Sequence, residues 1–285
     1  MQLHIAELYF GPELALAAVG GRSYAALVDT TDRAGELRRL HTDPDLLVLV
    51  NVWDVASART VADLPGCRAI ATASHSVAAA HGYPDEERIP RDLMLATVER
   101  ITDAVELPVT ADIEAGYGDT EDTVRRAIGA GAVGGNLEDG MRPLDAAVAQ
   151  VEAVVRAGTA EGVPFVLNAR TDAYLQAGDR DPDDVFDDAV ERGRAFLDAG
   201  ADCVFVPGVR DPETVGRLVE QIGERKISLL AGPGSPALAE LADLGVARVS
   251  FGPWTHWVAL TALADIGAAL LARTGAIPSD TRMVG

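Results

Sequence analysis

The sequence is poor in cations. Lysine occurs once, at Lys226, ahead of an apolar run rather than at the end of one. A Schiff-base aldolase needs a lysine inside its site, so that chemistry is excluded. Lysine and arginine together number 24 against 44 acids, a formal charge of −20. A surface this negative repels phosphate backbones and anionic membranes, which excludes nucleic acid and membrane as partners. A small anion is admissible where a metal ion and an arginine reverse the local field. Cysteine is nearly missing: Cys67 and Cys203 each sit inside an apolar run, so no disulfide framework exists and both read as reduced core residues of a cytoplasmic protein. No GxGxxG follows the first strand, which ends in NVWD, and this weighs against a doubly wound dinucleotide fold. No apolar run is read as reaching the roughly 18 residues that span a bilayer, and the start lacks a signal-peptide pattern.

What the sequence does have is core-forming residues in a repeating order. Hydrophobic residues make up 48% of 285 positions, ample for one large α/β domain. Residues 1–32 do not resemble the rest; HIAELYF and YAALVDT read as short strands or an irregular arm, an extension packed on the surface or on a partner subunit. From Arg33 to Gly285 apolar runs alternate with amphipathic stretches. Strands are expected from Leu47, Ala69, Val109, Val133, Phe165, Cys203, Ile227 and Arg248, with helices between them, several ending on glycine before the next strand. Eight strand–helix units over about 250 residues are the count of a (β/α)₈ TIM barrel. The last stretch, Trp254 to Thr274, is a long helix with few charges, suited to packing on its own barrel or against another subunit.

In a barrel of this kind the chemistry gathers where the strands end. The stretch PVTADIEAGYG closes an apolar run with Asp112 and Glu114, two apart and therefore on one face of a strand. NLEDG supplies Glu138 and Asp139, and LNARTD supplies Asn168 and Arg170. Several acids facing one arginine repel each other unless a hard cation stands between them, and a divalent metal with oxygen ligands fits that need. With no lysine at hand, the chemistry left is Lewis-acid polarisation of a carbonyl and stabilisation of an enolate. Tyr117 either reaches a substrate or packs. His75 is a general acid or base, or a wall that sets specificity. Trp53 closes the pocket floor, Asp54 caps the following helix, and His81 and His256 read as packing or surface histidines.

TADIEAGYGD, NLEDG, NARTDAYL and ATASHSVAAAHGYPD together resemble the isocitrate lyase and phosphoenolpyruvate mutase superfamily, from about Arg33 to beyond Trp254. The resemblance implies a Mg²⁺-dependent barrel, with Mn²⁺ as the alternative ion, acting on 2-oxo or 2-hydroxy acids, commonly as a homotetramer that swaps its final helix. Matched residue by residue, Asp112, Glu114 and Glu138 take the metal-shell positions, with Glu114 in place of the commoner aspartate. Arg170 takes the carboxylate grip, a task suited to its bidentate fork. Thr72, Ala73 and Ser74 form the turn holding the other carboxylate end, and Asp85 is the acid near the metal water.

The departures narrow the activity. Where lyases of the superfamily have a KKCGH-type loop with a catalytic cysteine, this chain has GMRPLDAAV, and the lysine- and asparagine-bearing loop of the mutases is missing too. VPG at Val206 and LAGPG at Leu230 resemble a less characterised subgroup near oxaloacetate decarboxylase-like members. The expectation is therefore a Mg²⁺-dependent carbon–carbon lyase or decarboxylase on a small 2-oxo carboxylate, working as a tetramer or dimer. Carbon–phosphorus chemistry and simple 2-oxo acid binding with little turnover are the alternatives.

Overall fold

The computed structural model describes residues 24–282. HIAELYF lies outside the described residues. YAALVDT is not a strand: it opens α1 (Tyr24–Thr42), which runs unbroken across the boundary expected near residue 32. Its Leu37 and Leu40 are fully buried. Leu37 packs against the start of β5 so tightly that a Cβ on Gly134 would lie 2.7 Å from Leu37 Cδ2 and 2.7 Å from the Val166 carbonyl. Glycine there lets α1 seat at the amino-terminal end of the sheet.

The sheet is all parallel. Its strands are β1 (Leu47–Leu49), β2 (Asn51–Val52), β3 (Ile70–Thr72), β4 (Val109–Asp112), β5 (Gly134–Glu138), β6 (Val166–Arg170), β7 (Cys203–Phe205), β8 (Ile227–Leu230) and β9 (Arg248–Ser250). They are ordered β1-β9-β8-β7-β6-β5-β4-β3-β2. β1 and β2 are separated by Val50 alone, and one pairs with β9 while the other pairs with β3. The two ends of the sheet are thus halves of one extended run, and the ring closes as a TIM barrel with the strand starts anticipated from the apolar runs. Near-continuous apolar strands are what a sheet covered on both faces requires.

The helices follow the strands: α2 (Val55–Ala62), α3 (Ser74–Ala80), α4 (Arg91–Thr102), α5 (Thr120–Gly129), α6 (Leu144–Ala160), α7 (Pro182–Asp198), α8 (Pro212–Ile222), α9 (Leu238–Asp243) and α10 (Trp254–Leu271). Aspartates start four of them. Asp54, Asp119, Asp181 and Asp211 each accept from a first-turn amide, and Asp54 forms a reciprocal capping box with Ser57. α3 was not anticipated, because SHSVAAAHG looks like a turn of small residues; alanines and a buried Val77 make it a short helix instead.

α10 differs from the rest. Val258 is 68% exposed, Leu263 65% and Leu271 88%, although Asp265 is the single charge in its 18 residues. By length and composition it is the one described helix able to cross a membrane. This corrects the expectation that no run reaches that length: Trp254–Leu271 does, since one aspartate and small polar residues barely lower its hydropathy.

Candidate active site

The carboxyl ends of the strands open into a cavity of ≈ 350 Å³. Ser74, Asp85, Glu114, Glu138 and Arg170 stand in its wall, as the sequence reading expected of residues from four separate stretches. Glu86, Gly140, Asp172, Leu175 and Gln176 complete the wall and were not anticipated. Asp172 was legible in principle, two residues beyond Arg170 and on the same motif. Glu86 is the next residue after Asp85.

Each acid is held by its own partners. The Asp112 carboxylate accepts from the Ser74 amide at 3.1 Å and from Ser74 Oγ at 2.8 Å, so it sits on the first turn of α3 where the amides point outward. Its own amide donates to Thr72 Oγ1 at 2.9 Å, and Ala73 is buried beside it as the residue before the helix. Glu114 does not continue the strand. It has φ +50°, a left-handed turn that swings it to accept from the Tyr117 hydroxyl at 2.6 Å and the Glu87 amide at 2.5 Å. Glu87 in turn accepts from the Tyr117 amide at 2.6 Å, latching the loop after α3 to the turn after β4. Glu86, Glu87, Glu114, Tyr117 and Met141 all have positive φ. Such strain costs of order 1 kcal/mol per residue and concentrates at the mouths of functional sites.

Arg170 is gripped twice. Its Nη1 lies 2.8 Å from Glu138 Oε2 and its Nε 2.6 Å from Asp172 Oδ1. Burial works against its charge, but these two acids raise its pKa and keep it a cation. Asp139 fixes the frame below: its Oδ1 accepts from the Asp172 and Met141 amides, both at 3.0 Å, and its Oδ2 from Arg192 at 3.1 Å. The connection from β5 to α6 is only residues 139–143.

Burial and mutual repulsion make the wall proton-hungry. Glu114 is pushed up to about 7 by burial, with Asp112 and Asp85 adding to the rise. Glu138 is pushed up to about 8 by burial, against the pull of Arg170. Asp85 is raised by burial and by Asp112. Asp85 Oδ1 is buried without a hydrogen-bond partner among the described residues. Oxygen donors that repel one another, with one Asp85 oxygen left unpartnered, suit a hard divalent cation. The set is no dry cage, however: among the described residues no three His, Cys, Asp or Glu side chains are placed to hold an ion together. Glu138 turns to Arg170, Glu114 to Tyr117 and Asp112 to Ser74. The donor set therefore fits an ion held by one or two carboxylates and its own water, as Mg²⁺ commonly is.

Thr72, Ala73, Asp112 and Tyr117 are not in the wall themselves, although Asp112 holds Ser74 and Tyr117 holds Glu114, which are; three further expected residues lie elsewhere. Asn168 is fully buried one layer below Arg170, donating to Asn136 Oδ1 at 2.9 Å and Ser228 Oγ at 3.3 Å. Trp53 stacks on His256 with centroids 4.5 Å apart and packs on the Val77 and Met94 cluster, outside the cavity wall. His75 meets Trp257 edge-on at 5.4 Å, its Nδ1 buried and unpartnered among the described residues, so it faces α10. His81 bonds Thr97 at 2.9 Å, a packing role as read from sequence. Lys226 precedes β8 and reaches the Asp202 carbonyl at 3.3 Å, away from the mouth.

A profile of the phosphoenolpyruvate phosphomutase family matches residues 37–271. This chain belongs to the phosphoenolpyruvate mutase/isocitrate lyase superfamily. It is 29% identical to the 2,3-dimethylmalate lyase of Eubacterium barkeri, over 83% of this chain and 86% of that one. It is likewise 29% identical to the oxaloacetate decarboxylase of Paraburkholderia xenovorans, over 84% and 82%. Among solved structures it is similar to one described as a putative phosphonomutase from Burkholderia cenocepacia, with 40% identity, a TM-score of 0.79 and coverage of 86% and 100%. Superfamily membership supports lyase-type cleavage of small acids.

Proposed function

We propose that this superfamily member is a divalent-metal-dependent lyase that cleaves a carbon–carbon bond, or decarboxylates, next to the carbonyl of a small 2-oxo carboxylic acid. The observation that carries the reading is one cavity holding Asp85, Glu114 and Glu138 around Arg170, in a chain similar to a dimethylmalate lyase and an oxaloacetate decarboxylase. One or two of Asp112, Glu114 and Glu138 would hold Mg²⁺, or Mn²⁺ in its place, with Asp85 beside the ion's own water. When bound, that ion supplies Lewis-acid polarisation of the 2-oxo group. Arg170 binds the substrate carboxylate through the guanidinium donors that Glu138 and Asp172 leave free. Ser74 spends its hydroxyl proton on Asp112 and so holds that carboxylate in place, leaving its oxygen only to accept from the substrate. Tyr117 holds Glu114 in place through its phenol, whose pKa is raised by burial and by Glu114, so it stays a donor.

The test is a screen of 2-oxo and 2-hydroxy acids with Mg²⁺, read by mass spectrometry. Turnover of an oxaloacetate-like acid is expected, lost with chelator and reduced at least 100-fold in Glu114→Ala; activity indifferent to both overturns the assignment. The match to a phosphomutase family and the 40% identity to a putative phosphonomutase favour one second reading, carbon–phosphorus cleavage. Phosphate released from phosphonopyruvate separates the two. On the same reading the protein is a cytoplasmic homo-oligomer, a dimer or tetramer, in which α10 is exchanged between subunits; the exposed apolar face of that helix supports the subunit contact.

A further inference from the structure

Beneath the mouth, the barrel interior holds a charge that stability does not explain. Arg248 on β9 is 1% exposed, the largest fully buried side chain among the described residues. In the closed ring β9 and β5 stand opposite one another. Arg248 spans that interior and donates from Nη2 to Asn136 Oδ1 at 3.1 Å. Its Nε and Nη1 have no hydrogen-bond partner among the described residues, and no carboxylate there forms an ion pair with it. Burial alone drives its pKa down to about 10, a value at which it is still a cation at neutral pH.

The surroundings place this cation against the site. Asn136 is in register with Asp112 on one side and Asn168 on the other. Two residues further along the same strands stand Glu138 and Arg170, which are also in register. Asn136 does not need the arginine, since Asn168 Nδ2 already donates to it at 2.9 Å. An unpaired buried guanidinium is costly, and replacing a buried charge by an apolar side chain of similar volume is often neutral or stabilising. A charge kept at such a place is one that something outside the fold uses.

We propose that Arg248 is a positioning residue of the active site: a fixed positive charge held at the level of Asn136 and Asp112, one strand layer below Glu138 and Arg170, which draws the anionic substrate and its enolate into an acid-lined mouth. This rests on the reading of that mouth as the active site. A unit charge about 7 Å away, at an effective dielectric of ~20, changes anion affinity on the order of ten- to fifty-fold. The substrate class follows: compact, planar anions whose charge lies deep in the cavity gain most, and ligands with charge only at the rim gain little.

Arg248→Met, Arg248→Gln and Arg248→Lys test the idea, with oxalate plus Mg²⁺ as the probe, because oxalate is a planar two-carbon anion. Calorimetry on the full chain is expected to show oxalate binding weakened about ten- to fifty-fold in Met and Gln and largely restored in Lys, while the melting temperature of the Met variant stays level or rises. Wild-type affinity in a folded Met or Gln variant overturns the role of Arg248. So does a Lys variant that folds yet binds as weakly as Gln, which marks a structural role. If Met does not fold, the comparison of Gln with Lys decides. Oxalate binding without turnover of any 2-oxo acid refutes the lyase assignment and leaves this test standing, whereas a wild type that does not bind oxalate overturns both.

Discussion

Arg170 shows how much of the site is a matter of single atoms. Two carboxylates fix its fork at 2.8 and 2.6 Å, and only the planar guanidinium satisfies both while keeping donors for a third anion. Arg170→Lys is expected to lower kcat/KM by about 100-fold, because a point charge on a flexible stem cannot hold the same geometry. Steady-state kinetics with the acid found in the screen checks this; a loss under fivefold contradicts the grip. Asp54→Ala is expected to cost about 1 kcal/mol of stability in urea unfolding and leave kcat unchanged, since Asp54 caps α2 and lies outside the cavity wall. At this scale the sequence was readable where chemistry forces a residue type. Acids and one arginine at strand ends announced themselves, and Asp54 before ASAR read as a cap. Asn168 was misplaced because strand alternation gives a face but not a depth, Asn168 and Arg170 sharing a face one layer apart, while Trp53 and His75 stand off the strands, where alternation gives no direction at all.

At the scale of elements, apolar runs predicted the strand starts to within a residue, because a sheet covered on both faces leaves no alternation to confuse. α3 and the early start of α1 were missed for the opposite reason, as alanine-rich and mixed segments carry no clear period. Gly134 marks where two elements touch. Gly134→Ala is expected to destabilise by about 1–3 kcal/mol, since its methyl meets Leu37 and a carbonyl at 2.7 Å; thermal unfolding of the variant measures it. α10 is the element with most unmet surface. If it is an exchanged subunit contact, Val258→Asp with Leu263→Asp reduces the solution mass to that of a smaller assembly, read by light scattering after gel filtration. A mass unchanged by both substitutions removes the helix from any interface.

For the molecule as a whole, the acids set a pH dependence. Glu114 and Glu138 have folded values of about 7 and about 8, above the ordinary 4.5. Between pH 4.5 and 8 the native chain therefore holds protons that the unfolded chain has released, and stability falls as pH rises through this window. The metal-free protein is expected to melt at progressively lower temperature from pH 5 to pH 8, and Mg²⁺ to flatten that decline by taking the place of the protons. A melting temperature level across the same range without metal shows that the wall is already compensated. None of this was visible in a net charge of −20, which counts every acid as ionised and does not tell which carboxylates turn inward.

The bridge from β5 to α6 spans only residues 139–143, and it carries neither a thiol nor an amine. A carbanion generated in this mouth therefore takes its proton from solvent or from the wall acids Glu114 and Glu138, which hold protons up to about pH 7 and about 8. With a 3-alkyl 2-oxo acid in heavy water, solvent donation labels both faces of the freed carbon equally, whereas a single stereochemical label marks one of those acids as the donor.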